Sequence, residues 1–406
     1  MDGNCCGTSS PTASLTVALV TETYPPEING VALTLSRLVA GLRRRGHRVQ
    51  LIRPRQSGID RAVAEADFEE VLTPGIPIPG YRGLHFGLAA RSTLRRQWLR
   101  HPPSIVHVAT EGPLGASAVA AARDLSLPIS SGYHTNFDAY SRHYRLGWLR
   151  GVVTRHLRRF HNRTDLTLVP TYELAQALTA DGYRNVDVLA RGVDTRLFNP
   201  HRRSDALRAS WGAGPNSLVV AHVGRLAPEK NLALVTAAYA AIADTRADTR
   251  MIFVGDGPSR SKLAAKHPHY VFAGMRRDEE LATHYASADM FLFPSLTETF
   301  GNVVPEALAS GLAVVAYDCA AASDLIEDRI NGRKVAPGNA DAFIAAAAEL
   351  AAEAQQRVEM RGLTAPSVAH LDWECIQDQF AAALAGLYHA HRRRGHGEKH
   401  FVLLPD

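Results

Sequence analysis

Ser217-Leu-Val-Val-Ala-His-Val-Gly-Arg-Leu-Ala-Pro-Glu-Lys230 decides the fold of this chain, because it reads as a buried strand that runs into a loop. The first seven residues are mostly apolar and predict a strand with both faces covered. Asn231 is the predicted N-cap of the alanine-rich helix that follows. In an open α/β sheet, ligands bind beyond the carboxyl ends of the strands. Arg225 and Lys230 are therefore placed where a phosphate would sit.

A strand-and-helix alternation of this kind occurs twice along the chain. In each half, short apolar runs precede segments that can form helices, which predicts two parallel sheets with helices on both faces. Two Rossmann-like domains of this kind would enclose a cleft. The predicted strands cover residues 15–20, 49–53, 105–108, 128–131 and 166–169 in the first half, and residues 217–223, 251–254, 270–273, 290–293 and 312–316 in the second.

Domain boundaries follow from the same alternation. A polar stretch near residues 194–203 separates the two sets of strands. The first 14 residues lack the apolar segment of a signal peptide, so we expect a disordered leader. The predicted organisation is a leader at 1–14, a first domain at 15–196, a second domain at 204–370, a last helical segment at 371–392 and a tail at 393–406.

Two carboxylates flank a glycine turn and a helix start in the run Glu298-Thr-Phe-Gly-Asn-Val-Val-Pro-Glu306. The glycine excludes a continuous helix, so Glu298 is predicted on a loop and Glu306 on the helix behind it. A carboxylate accepts hydrogen bonds from two neighbouring hydroxyls, which suits a sugar or ribose diol. A helix with solvated glutamates is the alternative. The backbone amides that can face an anion here are those of Gly301, Asn302 and Val303.

Six motifs in a fixed order carry a family resemblance. They are Thr23-Tyr-Pro-Pro-Glu-Ile-Asn-Gly30, Tyr133-His-Thr-Asn-Phe-Asp138, Gly224-Arg-Leu-Ala-Pro-Glu-Lys230, Phe253-Val-Gly-Asp-Gly-Pro258, Ala288-Asp-Met-Phe-Leu-Phe-Pro-Ser295 and the run from Glu298 to Glu306. With them, the chain resembles the retaining glycosyltransferases of family four, which have the two-domain GT-B architecture. The resemblance covers nearly the whole chain apart from its two ends. The complete set is a specific signal, whereas one motif alone would be weak.

The resemblance implies a reaction and assigns roles to the charged residues. It implies transfer of a hexose, of mannose or glucose type, from a nucleoside diphosphate sugar to an acceptor hydroxyl with the anomeric configuration kept. Arg225 and Lys230 would stabilise the departing diphosphate. Glu298 would hold the hexose hydroxyls, and Glu306 would hold the ribose. The family also returns its final helix to the first domain, and the segment from residue 373 to about 389 is the candidate here.

Further site positions come from the same comparison of motifs. Gly30 opens a helix, where its missing side chain lets an acceptor or a diphosphate approach the amides. His134 follows a predicted strand, and the family places such a histidine near the transferred sugar; a structural histidine is the alternative. Asp138, four residues later, is also a candidate. The residues that would contact the nucleotide base are Gly274, Met275 and Arg276.

The sequence lacks the features expected of a dehydrogenase, of a glycosidase and of a metal-dependent transferase. No Gly-x-Gly-x-x-Gly follows a predicted strand, which argues against a dinucleotide-dependent dehydrogenase. The cations beside the two glutamates favour a diphosphate leaving group over glycosidase chemistry. No Asp-x-Asp occurs, so we expect no cofactor and no required metal. The family resemblance implies a GDP-sugar or UDP-sugar as the donor. A non-catalytic sugar- or lipid-binding protein is the alternative from another class.

Composition agrees with a two-domain cytoplasmic protein. The 406 residues, 46% of them hydrophobic, are enough for two cores of ordinary size. The four cysteines show neither a disulfide framework nor a metal-binding spacing, which favours a reducing cytoplasm. No run approaches the ~18 apolar residues of a membrane-spanning helix.

Positive charge is concentrated in the first half of the chain. The first 200 residues contain 24 Arg, no Lys and 16 acidic residues, a net charge of +8. One basic segment is Arg91 to His101, around Trp98, and a denser one is Ser141 to Arg163. The second contains Arg142, Arg145, Arg150, Arg155, Arg158, Arg159 and Arg163, interleaved with Tyr144, Trp148 and Phe160.

Basic and aromatic residues mixed on a helix suit an anionic membrane surface. A solvated face and a nucleic-acid surface are the alternatives, and since the chain shows no nucleic-acid motif we expect no nucleic-acid partner. We therefore predict a peripheral enzyme on the inner membrane surface. The Tyr133 to Tyr140 run and the basic first domain resemble bacterial branches of the family that glycosylate diacylglycerol or phosphatidylinositol, which implies a lipid acceptor of that kind. A soluble or polysaccharide acceptor is the other interpretation.

Overall fold

The computed structural model describes residues 14–27, 29–77, 85–134 and 147–397. Two compact units contain them, and each is built on a parallel sheet. The first unit holds the described residues up to 134, those from 147 to 190 and those from 373 to 397, and the second holds residues 191–372. The predicted α/β class with two parallel sheets is confirmed.

Strands of the first unit are β1 (Thr16–Val20), β2 (Arg48–Pro54), β3 (Phe68–Thr73), β4 (Gly75–Pro77), β5 (His85–Gly87), β6 (Ile105–Val108), β7 (Ile129–Gly132), β8 (Leu166–Val169) and β9 (Val186–Val188). Its helices before residue 190 are α1 (Gly30–Arg44), α2 (Arg91–Arg100), α3 (Pro113–Asp124), α4 (Gly147–His161) and α5 (Tyr172–Ala180). The sheet has the order β3-β2-β1-β6-β7-β8-β9, and β4 and β5 form a separate antiparallel ribbon.

The central strand explains why the first unit folds around an apolar run. Val17, Ala18, Leu19 and Val20 of β1 are all fully buried, as expected for a strand covered on both faces. β3 was not predicted from the sequence. It reads Phe-Glu-Glu-Val-Leu-Thr and lies at the edge of the sheet, where only its end residues are buried and acidic side chains are tolerated.

The last helix, Trp373–Gly397, packs on α1 within the first unit. Its Gln377 side chain donates to the carbonyl of Arg37 at 2.8 Å. Gly41 allows this contact, because an added Cβ would lie 2.4 Å from the Gln377 side chain. Arg45 donates to Asp378 at 2.6 Å. A glycine and a glutamine thus set how closely the two helices approach.

Strands of the second unit are β10 (Leu218–Val223), β11 (Thr249–Val254), β12 (Val271–Gly274), β13 (Met290–Phe293), β14 (Ala313–Tyr317) and β15 (Gly332–Val335). Its α-helices are α6 (Asp205–Ser210), α7 (Leu232–Thr245), α8 (Arg260–Lys266), α9 (Asp278–Ala286), α10 (Val303–Ala309), α11 (Ala320–Leu325), α12 (Ala340–Ala352) and α13 (Ala354–Ser367). The parallel sheet has the order β12-β11-β10-β13-β14-β15. The loops after β12, β11, β10 and β13 therefore meet along one edge of the sheet.

Glycines permit close backbone contact between two of these loops. Gly255 has a φ of 132°, and an added Cβ would lie 2.0 Å from the carbonyl oxygen of Gly224. Gly257 is similarly close to Leu226, because a Cβ added at Gly257 would lie 2.5 Å from the Leu226 carbonyl oxygen. Side chains at either glycine would force the loops apart. The Phe253 to Pro258 motif therefore packs against the backbone of the Gly224 to Lys230 loop.

Asp289 joins four parts of the second unit just before β13. Its side chain is 8% exposed and accepts from Arg203 at 2.9 Å, Arg361 at 3.0 Å and Arg208 at 3.1 Å. It also accepts from the backbone amide of Val219 in β10 at 2.8 Å. Burial alone would raise the pKa of Asp289, but the three guanidinium groups and this amide hold it below its usual value.

The structure revises the predicted aromatic component of the basic segments. Trp98 is 1% exposed and Phe160 is 5% exposed, and both belong to one core cluster of the first unit. Arg95, Arg155 and Arg159 are exposed. These two aromatic side chains lie in the core because burying their large apolar area stabilises the fold.

Asp138 and residues 141–146 lie outside the described residues. Among the helices that the structure describes, none has the length and apolar character to cross a membrane.

Replacing Asp289 by Asn should destabilise the second unit by about 3 to 5 kcal/mol at pH 7, since three buried or half-buried arginines lose their counter-charge. Because the folded-state pKa of Asp289 is lowered, its contribution is present above the unfolded-state pKa and is lost as the pH falls through the folded-state pKa. Hydrogen exchange of peptides from β10 and β13 should therefore separate Asp289→Asn from wild type at pH 7, with convergence at acidic pH.

The matched control is Glu279→Gln, since that carboxylate is 78% exposed and has one arginine partner at 3.5 Å. It should change exchange little at either pH. Equal protection of β10 and β13 in Asp289→Asn and wild type at pH 7 would contradict the proposed role.

Candidate functional site

Lys230 and Glu298 form an ion pair at the carboxyl edge of the second sheet. The Lys230 ammonium contacts Oε1 of Glu298, and Ser295 Oγ donates to the same oxygen at 2.7 Å. The Lys230 and Glu298 side chains are 18% and 16% exposed. The ammonium also lies 5.6 Å from the centre of the Phe293 ring. The predicted phosphate cation and the predicted sugar-binding carboxylate are thus brought together directly.

Adjacent strands create this contact. Lys230 ends a short 3₁₀ turn, Pro228–Lys230, in the loop after β10, and Glu298 lies in the loop after β13. β10 and β13 are neighbours in the sheet. Asn231 occupies the predicted N-cap position of α7, but it has a φ of 52° and its side chain makes no capping hydrogen bond. Its amide lies 3.5 Å from the carbonyl of Pro294, so the residue links the two loops instead.

Arg225 is the exposed cation of the same loop. Its side chain is 69% exposed, and its ion pair with Glu229 is long, at 3.8 Å. A guanidinium in this state keeps its hydrogen-bond donors for solvent or a ligand. Arg225 and Lys230 therefore differ: one charge is largely solvated, and the other is balanced by a carboxylate.

The turn before α10 is built around Gly301, which has a φ of 86°. Asn302 holds the predicted N-cap position, but its side chain makes no capping hydrogen bond and its Oδ1 is buried without a partner among the described residues. Val303 begins a helix of seven residues, too short for a strong macrodipole. Any anion contact at this turn would come from the local amides.

Glu306 lies one turn into α10 and is half-buried. The Tyr285 hydroxyl, from the fully buried C-terminal part of α9, donates to Oε2 of Glu306 at 2.9 Å. Burial raises the pKa of Glu306 to about 7, although this hydrogen bond lowers it. Burial and the Glu306 carboxylate raise the pKa of Tyr285 well above its usual value, so Tyr285 stays a donor. Glu306 retains acceptor sites for further hydroxyls.

The predicted base-contacting residues follow β12 at the same edge. Gly274 has a φ of 73°, which turns the chain out of the strand. Met275 is 62% exposed. Arg276 pairs with Glu280 one helical turn later, at 3.2 Å. An exposed thioether beside an arginine is a surface on which a planar ring can stack.

Sequence reasoning missed three residues of this edge. Ser295 and Tyr285 each donate to one of the two predicted carboxylates. Arg191 lies near Glu298: burial lowers the pKa of Arg191 to about 10, while attraction to Glu298 opposes this shift. Ser295 closes one of the six motifs, but nothing within that motif marks it as a site residue, and Tyr285 and Arg191 belong to no motif. The contacts of the folded unit select all three.

Two predicted residues belong to the first unit. Gly30 begins α1, is exposed, and follows Asn29, whose side chain accepts from the amide of Ala32 at 2.9 Å. His134 follows β7, and its ring lies over Gly132, where an added Cβ would be 2.6 Å from Nε2. Both residues lie beyond carboxyl ends of strands, as predicted.

The second-unit edge combines hydroxyl acceptors with cations in one set of loops. Glu298 and Glu306 can accept from diols, while Arg225 and Lys230 can neutralise developing negative charge. The pair between Lys230 and Glu298 must loosen if each is to bind a different part of a ligand. This chemistry fits an anionic, polyhydroxylated ligand.

Comparisons with known proteins identify the family. Residues 217–353 match the family described as Glycosyl transferases group 1, and residues 28–197 match Glycosyltransferase Family 4. A GDP-mannose-dependent alpha-mannosyltransferase of Mycobacterium tuberculosis is 34% identical over 381 residues, which cover 93% of this chain and 97% of that protein.

Two further comparisons extend the similarity. An alpha-monoglucosyldiacylglycerol synthase of Streptococcus pneumoniae is 27% identical over 330 residues, covering 78% of this chain and 74% of the synthase. The structure of sucrose-phosphate synthase from Thermosynechococcus elongatus superposes with a TM-score of 0.72 at 17% identity, covering 93% of this chain and 100% of that chain. The protein is a hexosyltransferase that belongs to glycosyltransferase family 4 and has the GT-B fold.

Proposed function

We propose that the enzyme transfers a hexose, with retention, from a nucleoside diphosphate sugar to a hydroxyl of a membrane lipid. The observation that carries the proposal is the joined arrangement of Lys230, Glu298 and Ser295 beside Arg225 at the edge of the second sheet. It supplies a hydroxyl acceptor and two cations within one set of loops. A mannosyl donor is favoured by the 34%-identical relative, whose name specifies GDP-mannose.

Each site residue has a role in this proposal. Arg225 and Lys230 stabilise the departing diphosphate, where one well-placed donor in a dry site is worth roughly 3 to 4 kcal/mol. Glu298 holds hexose hydroxyls and Glu306 the ribose hydroxyls. The amides of Gly301 to Val303 add donors for the phosphates, and the segment from Gly274 to Arg276 contacts the base.

The first unit is proposed to receive the acceptor. Gly30 leaves room beside the first amides of α1, and His134 stands at the carboxyl edge of the sheet. A lipid acceptor is supported by the synthase relative, whose name specifies a glucosylated diacylglycerol. The absence of Asp-x-Asp supports a reaction that needs no divalent metal, and chelation by EDTA should leave turnover unchanged.

The direct test is transfer from GDP-mannose and from UDP-glucose to dioctanoylglycerol and to phosphatidylinositol in micelles. Each donor is also tested for protection against thermal unfolding, since a ligand at 100 times its dissociation constant adds about 2.7 kcal/mol of stability. A nucleotide sugar that protects the protein and is consumed with glycolipid formation supports the proposal. Protection by no nucleotide sugar, with no transfer, would falsify it.

Lys230→Ala and Arg225→Ala should distinguish the catalytic role of positive charge from its role in stability. Both should lower kcat by about 100-fold, because both remove charge that faces the leaving diphosphate. Lys230→Ala should also lower the free energy of unfolding by about 1 to 3 kcal/mol, because the Glu298 carboxylate loses the ammonium group that it contacts in a largely buried setting. Arg225→Ala should stay within about 0.5 kcal/mol of wild type. Steady-state kinetics and denaturant unfolding measure the two effects, and full activity of Arg225→Ala would contradict its assignment.

Glu306→Gln should bind nucleoside diphosphate more weakly by about 1.5 to 3 kcal/mol while making the protein more stable at pH 8 to 9. The pKa of Glu306 is raised to about 7 in the folded state, so its ionisation destabilises the fold as the pH rises through 7. Removing the charge abolishes that loss. Calorimetric titration and thermal unfolding at pH 6 and pH 8.5 provide the measurements.

Opposite signs for affinity and stability distinguish a ligand-binding carboxylate from a structural one. A purely structural Glu306 would show unchanged nucleotide affinity in Glu306→Gln. Glu349→Gln is the control, since that carboxylate is 52% exposed and pairs with Arg333 at 3.1 Å.

We also propose that exposed arginines of the first unit bind anionic lipid. Arg95, Arg155 and Arg159 have exposed side chains on α2 and α4. Leu99 and Val152 on the same helices are 58% and 63% exposed. Exposed apolar side chains beside cations suit the interface of a membrane, and each cation adds about 1 kcal/mol near an anionic surface.

Arg155→Ser with Arg159→Ser should reduce co-sedimentation with vesicles that contain acidic lipid, without changing nucleotide affinity. Added salt should release wild type, because the Debye length falls from about 10 Å at 0.1 M to 3 Å at 1 M. The control with the same charge change is Arg260→Ser with Arg329→Ser in the second unit. Equal sedimentation with neutral and acidic vesicles would contradict a lipid-facing charge.

A further inference from the structure

Polar side chains also meet at the carboxyl edge of the first sheet. β1, β6 and β7 are consecutive in that sheet, and Glu22, Glu111 and His134 follow their ends. Because carboxyl ends of parallel strands meet at one edge, these side chains are brought to the same part of the unit. Glu22 and Glu111 belong to none of the motifs that carry the family resemblance. They need a separate explanation.

Glu111 is held by a chain of buried hydrogen bonds. His161 is fully buried, and its Nε2 lies 3.3 Å from Oε1 of Glu111. Its Nδ1 lies 2.9 Å from Oγ of Ser131, which is also fully buried. A carboxylate only accepts, so we assign the ring proton to Nε2, and Ser131 then donates to Nδ1. The rings of Tyr133 and Tyr183 pack on His161 at 5.2 and 5.9 Å and fix its orientation.

The same three residue types form hydrolase triads, but this set cannot act in that way. Ser131 has no exposed surface, and its hydroxyl contacts Thr164 at 2.9 Å as well as His161. A nucleophile must reach a substrate carbonyl. Glu111 is the member of the chain that reaches the surface, with a side chain that is 12% exposed. The order of burial indicates that Ser131 and His161 serve to aim Glu111.

Glu22 and Glu111 differ in how much of their hydrogen-bonding capacity is used. The amide of Leu114 at the start of α3 donates to Glu22 Oε1 at 3.0 Å, and Gly112 leaves room for Oε2, since an added Cβ would lie 1.9 Å from it. Among the described residues, His161 is the one hydrogen-bond partner of the Glu111 carboxylate. A carboxylate has about four acceptor sites, so Glu111 can accept from a ligand.

The two carboxylates also determine which ligand can approach. Burial, with a smaller contribution from the charge of Glu111, raises the pKa of Glu22 to about 7, although the amides of Leu114 and Gly115 oppose this shift. A phosphate brought to this edge would be repelled, because like charges at short range are unfavourable in a partly buried site. Hydroxyl groups would be attracted as hydrogen-bond donors.

We propose that Glu111 binds a hydroxyl of the acceptor, that Ser131 and His161 position it, and that the acceptor head group at this edge is neutral and hydroxylated. The inference rests on the proposed transferase function and names the acceptor class for it. Glu111 is a specificity-determining residue, whereas His161 acts only through Glu111. A head group with a phosphate beside the attacking hydroxyl is disfavoured.

The test measures acceptor kinetics with dioctanoylglycerol and octyl glucoside as neutral probes and with octyl glucoside 6-phosphate as the anionic probe. Wild type should use a neutral probe and prefer octyl glucoside to its phosphate. Glu111→Gln keeps the size of the side chain and should raise the acceptor KM by about 10-fold, with a larger rise for Glu111→Ala. It should also reduce the preference against phosphate. The Kd for nucleoside diphosphate should not change in either variant.

Two further measurements separate positioning from a structural role. His161→Gln should raise the acceptor KM in the wild-type background but have no further effect in Glu111→Ala, since coupled residues are not additive. Glu65→Gln, on an exposed carboxylate of the same unit, is the matched control and should leave KM unchanged. Independent effects of His161→Gln and Glu111→Ala on KM would overturn the positioning role.

An unchanged acceptor KM in Glu111→Gln would overturn the inference, as would transfer to octyl glucoside 6-phosphate in preference to both neutral probes. Failure of wild type to use either neutral probe, while it transfers to phosphatidylinositol, would overturn it too and leave the proposed transferase function intact. If no nucleotide sugar binds and no acceptor is glycosylated, the proposed function and this inference both fail.

Discussion

The buried carboxylate of Asp289 is the interaction on which the arrangement of the second unit depends. It accepts from three arginines and from the backbone of β10, and it lies one residue before β13. β10 and β13 are thereby fixed side by side, and their far ends carry Lys230 and Glu298. One acidic residue at the amino edge of the sheet thus sets the geometry at the carboxyl edge. A buried charge is tolerated there because every oxygen is paired.

The carboxyl edge of the second sheet contains partly buried charged groups that do not stabilise the fold by themselves. Glu306 is buried enough to raise its pKa to about 7, and Arg191 is buried enough to lower its pKa to about 10. A fold optimised only for stability would place apolar side chains at such positions. Charged groups held in a partly desolvated edge are useful when a ligand brings the missing partners, because electrostatic interactions strengthen as water is excluded.

Sequence reasoning located the strands and the loops because both carry local signals. The apolar runs predicted as strands match β1, β6, β8, β10 and β13 within one residue at each end. The edge strand β3 was not predicted, because its half-exposed segment contains acidic residues and has no apolar run. Trp98 was predicted at a surface from its basic neighbours, but the helix turns it into the core. Charge density along the chain does not show which face of a helix a large side chain takes.

The sequence by itself determined the α/β class, the two sets of strands, the loops that carry Arg225, Lys230 and Glu298, and the helix that carries Glu306, because apolar periodicity and turn residues act over a few neighbours. Only the tertiary structure decided that Lys230 pairs with Glu298, that Tyr285 donates to Glu306, and that Glu111 is aimed by His161. These partners are 68, 21 and 50 residues apart in the chain. Contacts over such separations are set by strand order and by the packing of helices on the sheets, which local sequence patterns do not encode.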